Sequence, residues 1–426
     1  MRLLPHVTPE MLHVDFWLAR LGDPDAPLLD AEEIATFNAR VPEVVGVPDV
    51  FALADTLPAE AVREAITLPA TRPYYGVDGA PFTASWWEEL RANMALDAIP
   101  APAPVRFGLA TQRTSVRTYP TMRMALAEPG DLPFDQFQET TIDLGWPLAV
   151  VHTSADGRWA LALTPLYWGW VRLDHVALGE REAVQAFVGA TPFALAVAPW
   201  ADVALPGEGP HQVAQMGTRL PLVGRGEVRH RVLLPRRGED GSLERVQGVI
   251  AAQDPAWQEG YLPPTLRTVL RQAFALLGEP YAWGGMRVAR PGRDCSRFVR
   301  DVWAVTGLYL PRNTGQQVRL GRTAATFAPD DPPTARVEAL QERVPPGALL
   351  FLPGHVMLNL GVVEGIPYAI HDLWGYNHAD GHREIVGEVV VSDLPVPDPA
   401  RQAGDGPESG WRTLLERLTQ AQVIGG

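Results

Sequence analysis

The spacing of apolar residues changes character along the chain, and each change predicts an element. From Pro264 to Leu277, apolar positions at Leu266, Val269, Leu270, Ala273, Phe274 and Leu277 form one stripe, which predicts an amphipathic helix ending at Gly278. A second helical stripe starts at Asp294, carries Cys295, Phe298, Val299, Val302 and Thr306, and stops at Gly307. Strands are then expected at Ala348–Leu352, His355–Val363, Tyr368–Leu373 and Glu384–Val391. Pro395 to Ser409 is rich in Pro, Gly and Asp, and Trp411–Ala421 reads as a short final helix.

Further upstream the pattern favours strands. Phe107–Val116, Trp146–His152, Trp159–Thr164 and Trp168–Leu173 are strand candidates, with Asp156-Gly157 a hairpin turn. That density of short strands predicts a small β-barrel. Pro192 to Ile250 repeats the pattern more weakly, through Pro221-Leu-Val-Gly and His230-Arg-Val-Leu-Leu with a Gly-Glu-Asp-Gly turn after them, so a second barrel is expected. The first hundred residues read as helical and loop-rich. Ala31–Asn38 follows Asp30 as N-cap and presents Ile34 and Phe37, Pro58–Ile66 follows Thr56 as cap, and Ala98–Pro104 reads as a linker. The expected division is 1–100, 101–180, 181–255 and 256–426: a helical segment, two barrels and an α+β domain.

Composition narrows the function classes. The 426 residues are 46% hydrophobic and 20% charged with a net charge of −14, which fits soluble domains and argues against nucleic acid or an anionic membrane as the principal partner. No run of 18 apolar residues offers a membrane span. The single cysteine rules out a disulfide within the chain, so the redox compartment stays open. A cytoplasmic protein is expected if Met1 is the native start, and an exported envelope protein otherwise.

Cys295 stands where a helix begins, and the unpaired N–H groups and positive dipole end of a first turn favour a thiolate. A cysteine nucleophile needs an imidazole base, itself oriented by a partner. His355 and His371 occupy consecutive expected strands. A two-residue turn at Glu364-Gly365 would put them on opposite faces, whereas a three-residue loop of Val363-Glu364-Gly365 pairs His371 with Met357. His371 then lies diagonal to His355 on one face, the two about 7 Å apart at the backbone. In that arrangement His355 deprotonates Cys295, His371 orients His355, and the Cys295 N–H with the Tyr281 hydroxyl stabilises the oxyanion. Alternatives stay open at this level: an inert packed cysteine, a zinc site of Cys295, His355 and His371, and Tyr281 and Trp283 as core residues. Trp159, Trp168 and Trp170 are expected in a barrel core or edge.

Pro280-Tyr-Ala-Trp-Gly-Gly285, Asp294-Cys-Ser-Arg-Phe-Val299, Leu310-Pro-Arg-Asn-Thr-Gly-Gln-Gln317, Pro346-Gly-Ala-Leu-Leu-Phe351, Gly354-His-Val356 and Ala369-Ile-His371 together resemble the NlpC-type family of papain-like bacterial cell-wall peptidases. Arg113-Thr-Ser-Val-Arg-Thr-Tyr-Pro120, Leu144-Gly-Trp-Pro-Leu148 and Tyr167-Trp-Gly-Trp-Val171 are similar to the first of two bacterial SH3-like domains in the multi-domain subgroup of that family. The resemblance implies a papain-like α+β catalytic domain behind two SH3-like barrels, and a Cys295, His355, His371 triad. It also implies cleavage between γ-D-glutamate and the following diamino acid of peptidoglycan stem peptides or muropeptides, without a cofactor or metal. Asp294 and Ser296 would hold the free amine of an N-terminal L-alanine, with Tyr167 as the aromatic closing that pocket. Arg297 departs from the glycine common after Asp-Cys-Ser, and Arg287, Arg290 and Arg293 read as solvated or as partners of substrate carboxylates. A non-catalytic wall-binding protein, or a papain-like acyltransferase or amidase, are the other readings.

Overall fold

The computed structural model describes residues 3–66, 73–205, 211–286, 292–377, 383–395 and 413–425. The expectations for Arg287, Arg290 and Trp411, and for the tail beyond Pro395, lie outside these residues. The chain divides into two compact units, one of residues 1–44, 262–282 and 290–426, the other of 45–261 and 283–289. Among the described residues no helix is long and apolar enough to cross a membrane.

In the first unit, helix α1 (Ala31–Val45) begins with a reciprocal cap: the Glu33 N–H donates to Asp30 Oδ1 at 2.9 Å and the Asp30 N–H to Glu33 Oε2 at 2.7 Å. It runs well past Asn38, whose side chain donates to the Gly307 carbonyl at 2.8 Å and accepts from the Tyr309 N–H at 2.8 Å. Helix α2 (Leu266–Ala275) is capped by Thr265 and buries Val269, Leu270 and Ala273. Helix α3 (Cys295–Ala304) is buried on every side, including the face that the sequence pattern left polar. Arg297 and Asp301 on that face satisfy one another at 2.8 Å.

Strands β1 (Arg322–Thr326), β2 (Leu349–Leu352), β3 (His355–Val363), β4 (Ile366–Asn377), β5 (Arg383–Asp393) and β6 (Gln420–Val423) form an antiparallel sheet in the order β1-β6-β2-β3-β4-β5. Helix α4 (Pro333–Arg343) contributes Ala339 and Leu340 to a core with Leu350, Leu352, Met357 and Ala369. The expected final helix is therefore corrected. Among the described residues of that stretch only Leu414–Arg417 is helical, behind a Thr413 capping box, and Gln420–Val423 is a strand inserted between β1 and β2. The unpaired edges of two strands outweigh the local helical pattern, because each buried N–H and C=O needs a partner.

The β3–β4 hairpin corrects the expected loop while keeping its consequence. Val363 pairs with Ile366, so the turn holds only Glu364 and Gly365, at φ +52° and +80°. The register shifts by one between Asn359 and Gly361, with Leu360 as the extra residue of a β-bulge and Gly361 at φ +108°. Leu358 pairs with Ile370, which sets Met357 opposite His371. Asn359 holds the bulge: its side chain accepts from the Gly361 N–H at 3.1 Å and donates to the Val344 and Pro345 carbonyls at 3.1 and 3.0 Å.

The second unit contains a seven-stranded antiparallel sheet in the order Gln138–Ile142, Thr114–Arg117, Trp168–Arg172, Trp159–Leu163, Pro147–Thr153, Arg106–Ala110, Val176–Gly179. The expected strand Phe107–Val116 is thus two strands, and Asp156-Gly157 is the turn between Pro147–Thr153 and Trp159–Leu163, with Gly157 at φ +65°. Trp159 and Trp170 are core residues, while Trp168 packs at the edge. Leu243–Ala251, Arg229–Arg237, Arg219–Gly224, Phe193–Ala196 and Trp257–Glu259 make a second sheet in that order. Thr56 does not cap a helix; it pairs with Pro104 in a short strand, so part of the expected linker is sheet, and the helix is Ala59–Glu64. The helix Ala84–Met94, capped by Thr83, has no counterpart in the sequence reading.

Trp283, Gly284 and Gly285 belong to this second unit. Arg113 donates to the Gly285 carbonyl at 2.8 Å, and Gln138 to that of Gly284 at 3.2 Å. A Cβ on Gly284 would meet Gln138 Cγ at 2.5 Å, so only glycine permits this approach. Trp283 is no core residue: it is 38% exposed, edge-on to Phe134.

Candidate active site

Helix α3, the β3–β4–β5 hairpins and the Leu310–Gln317 segment carry the chemistry-bearing residues of the first unit. Asp294 is the N-cap, accepting the Arg297 N–H at 3.0 Å, which leaves Cys295 as the first helical residue and buried. Its thiol receives a hydrogen bond from the backbone of Val356, the residue after His355.

His355 Nε2 lies 2.6 Å from His371 Nδ1, and His371 Nε2 lies 2.9 Å from Ser392 Oγ. With both rings neutral, two orders of protons satisfy all four atoms. In one, the Ser392 hydroxyl donates to His371 Nε2 and His371 Nδ1–H to His355 Nε2. In the other, His371 donates Nε2–H to the Ser392 oxygen and accepts at Nδ1 from His355 Nε2–H, and His355 Nδ1 is then a lone pair, with no hydrogen-bond partner among the described residues. Ser392 went unnoticed in the sequence. It lies on β5 opposite Ala369, and no local signal announces that β4 and β5 pair in that register.

Burial decides the resting charges. It pushes the Cys295 thiol up to about 12, assisted by the negative charges of Asp294 and Asp372 and opposed by the Val356 hydrogen bond and Arg312. Desolvation lowers His355 to about 4, with Arg417 adding to the effect. His371 is likewise held well below the usual range by burial. Burial thus works against the thiolate that the helix start favours, because removing a charge from water disfavours both the ionised thiol and the imidazolium. No hydrogen bond joins Sγ directly to the His355 ring among the described residues. The Nε2···Nδ1 hydrogen bond between the rings also leaves no room for a cation bridging these nitrogens, which speaks against the three-ligand zinc alternative.

Tyr281 is buried, and desolvation with the charges of Cys295, Asp294 and Asp372 raises its phenol, so the hydroxyl stays a proton donor. Its ring lies 5.5 Å from that of Trp374. Asp294 and Ser296 are both nearly buried. Arg312 donates to Asp294 Oδ1 at 3.0 Å, to Asp294 Oδ2 at 2.5 Å and to Ser296 Oγ at 2.7 Å, and Ser296 donates to Asp294 Oδ1 at 3.1 Å. The carboxyl stays below its ordinary range because Arg312 and the local hydrogen bonds outweigh the opposing burial. Gln317 donates to the Ser296 and Pro311 carbonyls, both at 2.9 Å, so the Leu310–Gln317 segment braces the start of α3.

Two expectations change. Arg293 is neither solvated nor open to a substrate: it is fully buried and ion-paired to Glu279 and to Asp301 at 2.8 Å. Arg297, the departure from glycine, is buried against the same Asp301. Tyr167 lies in the second unit, partly buried in the turn between Trp159–Leu163 and Trp168–Arg172, its N–H bonded to Thr164 Oγ1 at 3.0 Å. Asp372, next to His371 on β4, was also missed. It is fully buried, neither carboxyl oxygen has a hydrogen-bond partner among the described residues, and burial raises its carboxyl far above the ordinary range.

Comparison with known proteins gives a consistent frame. Residues 278–377 match the NlpC/P60 family and residues 125–172 match an SH3 domain of the SH3b1 type. A γ-D-glutamyl-L-lysine dipeptidyl-peptidase of Bacillus cereus is 29% identical over 200 residues, 43% of this chain and 55% of that protein. Peptidoglycan endopeptidase RipB of Mycobacterium tuberculosis is 37% identical over 65 residues, 13% of this chain and 27% of that protein. The chain thus spans about half the length, or less, of these curated relatives. Among solved structures, an NlpC/P60 endopeptidase from Photobacterium damselae subsp. piscicida superposes with a TM-score of 0.73 at 18% identity, over 96% of both chains. An NlpC/P60 family protein from Bacillus cereus gives 0.51 at 20% identity, over 75% of this chain and 100% of that one. Both are likenesses of fold.

Proposed function

This chain is a member of the NlpC/P60 family with an SH3b1-type SH3 domain ahead of its catalytic domain, and we propose that it is a cysteine endopeptidase cutting the γ-D-glutamyl to diamino-acid bond of peptidoglycan stem peptides. The observation that supports this chemistry is the relay from His355 through His371 to Ser392, which in one of its two proton orders leaves His355 Nδ1 as the lone pair a general base needs. The printed activity of the Bacillus cereus relative supports the choice of bond. We also read the two β-rich segments at 101–180 and 181–255 as SH3-like barrels.

In this reading His355 Nδ1 takes the Sγ proton as sulfur attacks the γ-carbonyl carbon. Charge separates in the transition state, since burial disfavours it at rest. The imidazolium is stabilised by its Nε2–H bond to neutral His371, itself held by Ser392. The Cys295 N–H and the Tyr281 hydroxyl receive the oxyanion. His355 then returns its proton to the leaving amine, and water, deprotonated by the same ring, cleaves the thioester. Asp294 and Ser296 hold the ammonium of the N-terminal L-alanine, where a fixed carboxylate attracts a cation.

Product mass spectrometry with L-Ala-γ-D-Glu-L-Lys and its diaminopimelate analogue is the deciding experiment. Release of the free diamino acid by the intact chain, lost in Cys295→Ala, is expected. Undiminished release by that variant would overturn the assignment.

A further inference from the structure

Tyr281 is fastened to the outer edge of β5. The segment 278–281 runs antiparallel to it: the Gly278 N–H donates to the Val389 carbonyl at 2.8 Å, the Val389 N–H to that of Glu279 at 2.9 Å, and the Tyr281 N–H to that of Gly387 at 2.8 Å. Gly387 lies in a bulge. Leu373 pairs with Glu388 and Gly375 with Ile385, so Val386 and Gly387 stand opposite the single residue Trp374, and Gly387 takes φ +66°. The indole of Trp374 lies against both that backbone and the phenol. Its Cζ3 atom is 3.7 Å from where a Cβ on Gly387 would stand, and its ring centroid is 5.5 Å from that of Tyr281, with 59° between the planes. Trp374 is half-buried and Tyr281 buried. Burial raises the Tyr281 phenol first, and of the neighbouring charges Cys295 acts most strongly, ahead of Asp294 and Asp372, so the phenol stands in the field of the thiol.

We propose that Trp374 is the positioning residue of the oxyanion donor: its indole, seated on the Gly387 bulge, holds the Tyr281 ring at the angle that aims the hydroxyl at the carbonyl oxygen attacked by Cys295. The inference rests on Cys295 as nucleophile and Tyr281 as donor, not on which amide is cut. Fixing the backbone of a tyrosine leaves two side-chain torsions, and a packed ring on one flank removes that freedom. An oxyanion donor acts at about 2.7–3.1 Å from the developing charge, so a ring displaced by about 1 Å loses much of its effect.

The test compares two reactions of the full chain at its one cysteine. With p-nitrophenyl acetate, Sγ bonds to the acetyl carbon, its proton passes to His355, the ester C–O bond breaks and p-nitrophenolate leaves, all through a tetrahedral oxyanion. With iodoacetamide, Sγ bonds to a methylene carbon as iodide leaves and the proton goes to solvent, with no oxyanion. The ratio of the two rates, each corrected for the Cys295→Ala background, separates oxyanion stabilisation from thiol ionisation and access. Tyr281→Phe is expected to lower the ratio about 10²-fold. Trp374→Ala should lower it about tenfold, and Trp374→Phe, which keeps an aromatic ring, by about threefold at most. Tyr281→Phe combined with Trp374→Ala is expected to fall no further than Tyr281→Phe alone, because the indole acts through the hydroxyl. Should Trp374→Ala fail to fold, as judged by its melting curve, Trp374→Leu decides, with a ratio about fivefold below the parent expected. Equal slowing of both reactions, an unchanged ratio, or losses that add in the combined variant overturn the proposal. A ratio under the control of Trp374, in a chain that leaves L-Ala-γ-D-Glu-L-Lys uncut, sustains the proposal and sinks the peptidase reading alone.

Discussion

His355 Nε2 sits 2.6 Å from His371 Nδ1, and this one contact depends on a bulge at Leu360 that turns two neighbouring strands by one residue. Without the shift, the tight Glu364-Gly365 turn would place the rings on opposite faces. The bulge in turn depends on Asn359, which is 1% exposed and bonded on both sides. Asn359→Ala is expected to cost about 1–3 kcal/mol in urea unfolding, since it strands buried backbone groups. Activity should fall by a larger factor than Cys295 alkylation does, because the histidine pair is displaced before the helix is.

The relay predicts a graded loss of turnover. His371→Ala is expected to lower kcat by about 10² or more, since the base loses its orienting acceptor. Ser392→Ala should cost about tenfold, as it removes only the outer hydrogen bond. Equal losses in the two variants, measured with L-Ala-γ-D-Glu-L-Lys, would contradict this order.

The burial of this pair predicts how the protein responds to pH. His355, lowered to about 4, is a competent base down to about that pH, and free-enzyme alkylation of Cys295 should climb steadily above pH 8 without a plateau near neutrality. Stability has the opposite edge. Between about 6.5 and 4 the unfolded His355 binds a proton that the folded one does not, so stability is lost as pH falls through that window. Thermal melts at pH 7, 5.5 and 4.5 test the sign.

Asp372 should act at the other end of the scale. Its carboxyl is raised by burial first, then by Glu279, Asp294 and Glu388, while Arg293 opposes. A group raised in the folded state contributes stability at low pH that is lost as pH rises through its folded value. Asp372→Asn is therefore expected to flatten the fall in melting temperature as pH rises above 3.8. It should also speed alkylation of Cys295, whose thiol the Asp372 charge pushes up. A variant indistinguishable from the parent in both measurements would refute this.

Arg293→Ala offers a direct contrast between a solvated and a buried arginine. Removing it leaves Glu279 and Asp301 buried with a lost partner, so a cost of about 3–5 kcal/mol in chemical denaturation is expected. A change below about 0.5 kcal/mol would mean that the side chain is solvated.

Elements with a strong local signal were legible in the sequence. The stripe of α2, the Asp30 cap and the Asp294 start of α3 are written in residues three or four apart, and each forms where expected. The strand His355–Val363 and the two histidines were legible for the same reason. Elements that depend on distant partners were not. Gln420–Val423 becomes a strand because two edges await it, and Arg293 and Arg297 are buried because Asp301 and Glu279 come to meet them.

Local pattern along the chain singles out the residues suited to chemistry: a lone cysteine at a helix start, two histidines on neighbouring strands, and a carboxylate and a hydroxyl flanking the thiol. Their surroundings come from contacts made across the fold. The pairing of β4 with β5 supplied Ser392, a bulge rather than a loop set the register, and burial disfavours the ionised thiol and the imidazolium. Period and caps are local properties of a chain, whereas register, desolvation and the partner of a buried charge depend on residues far apart in sequence.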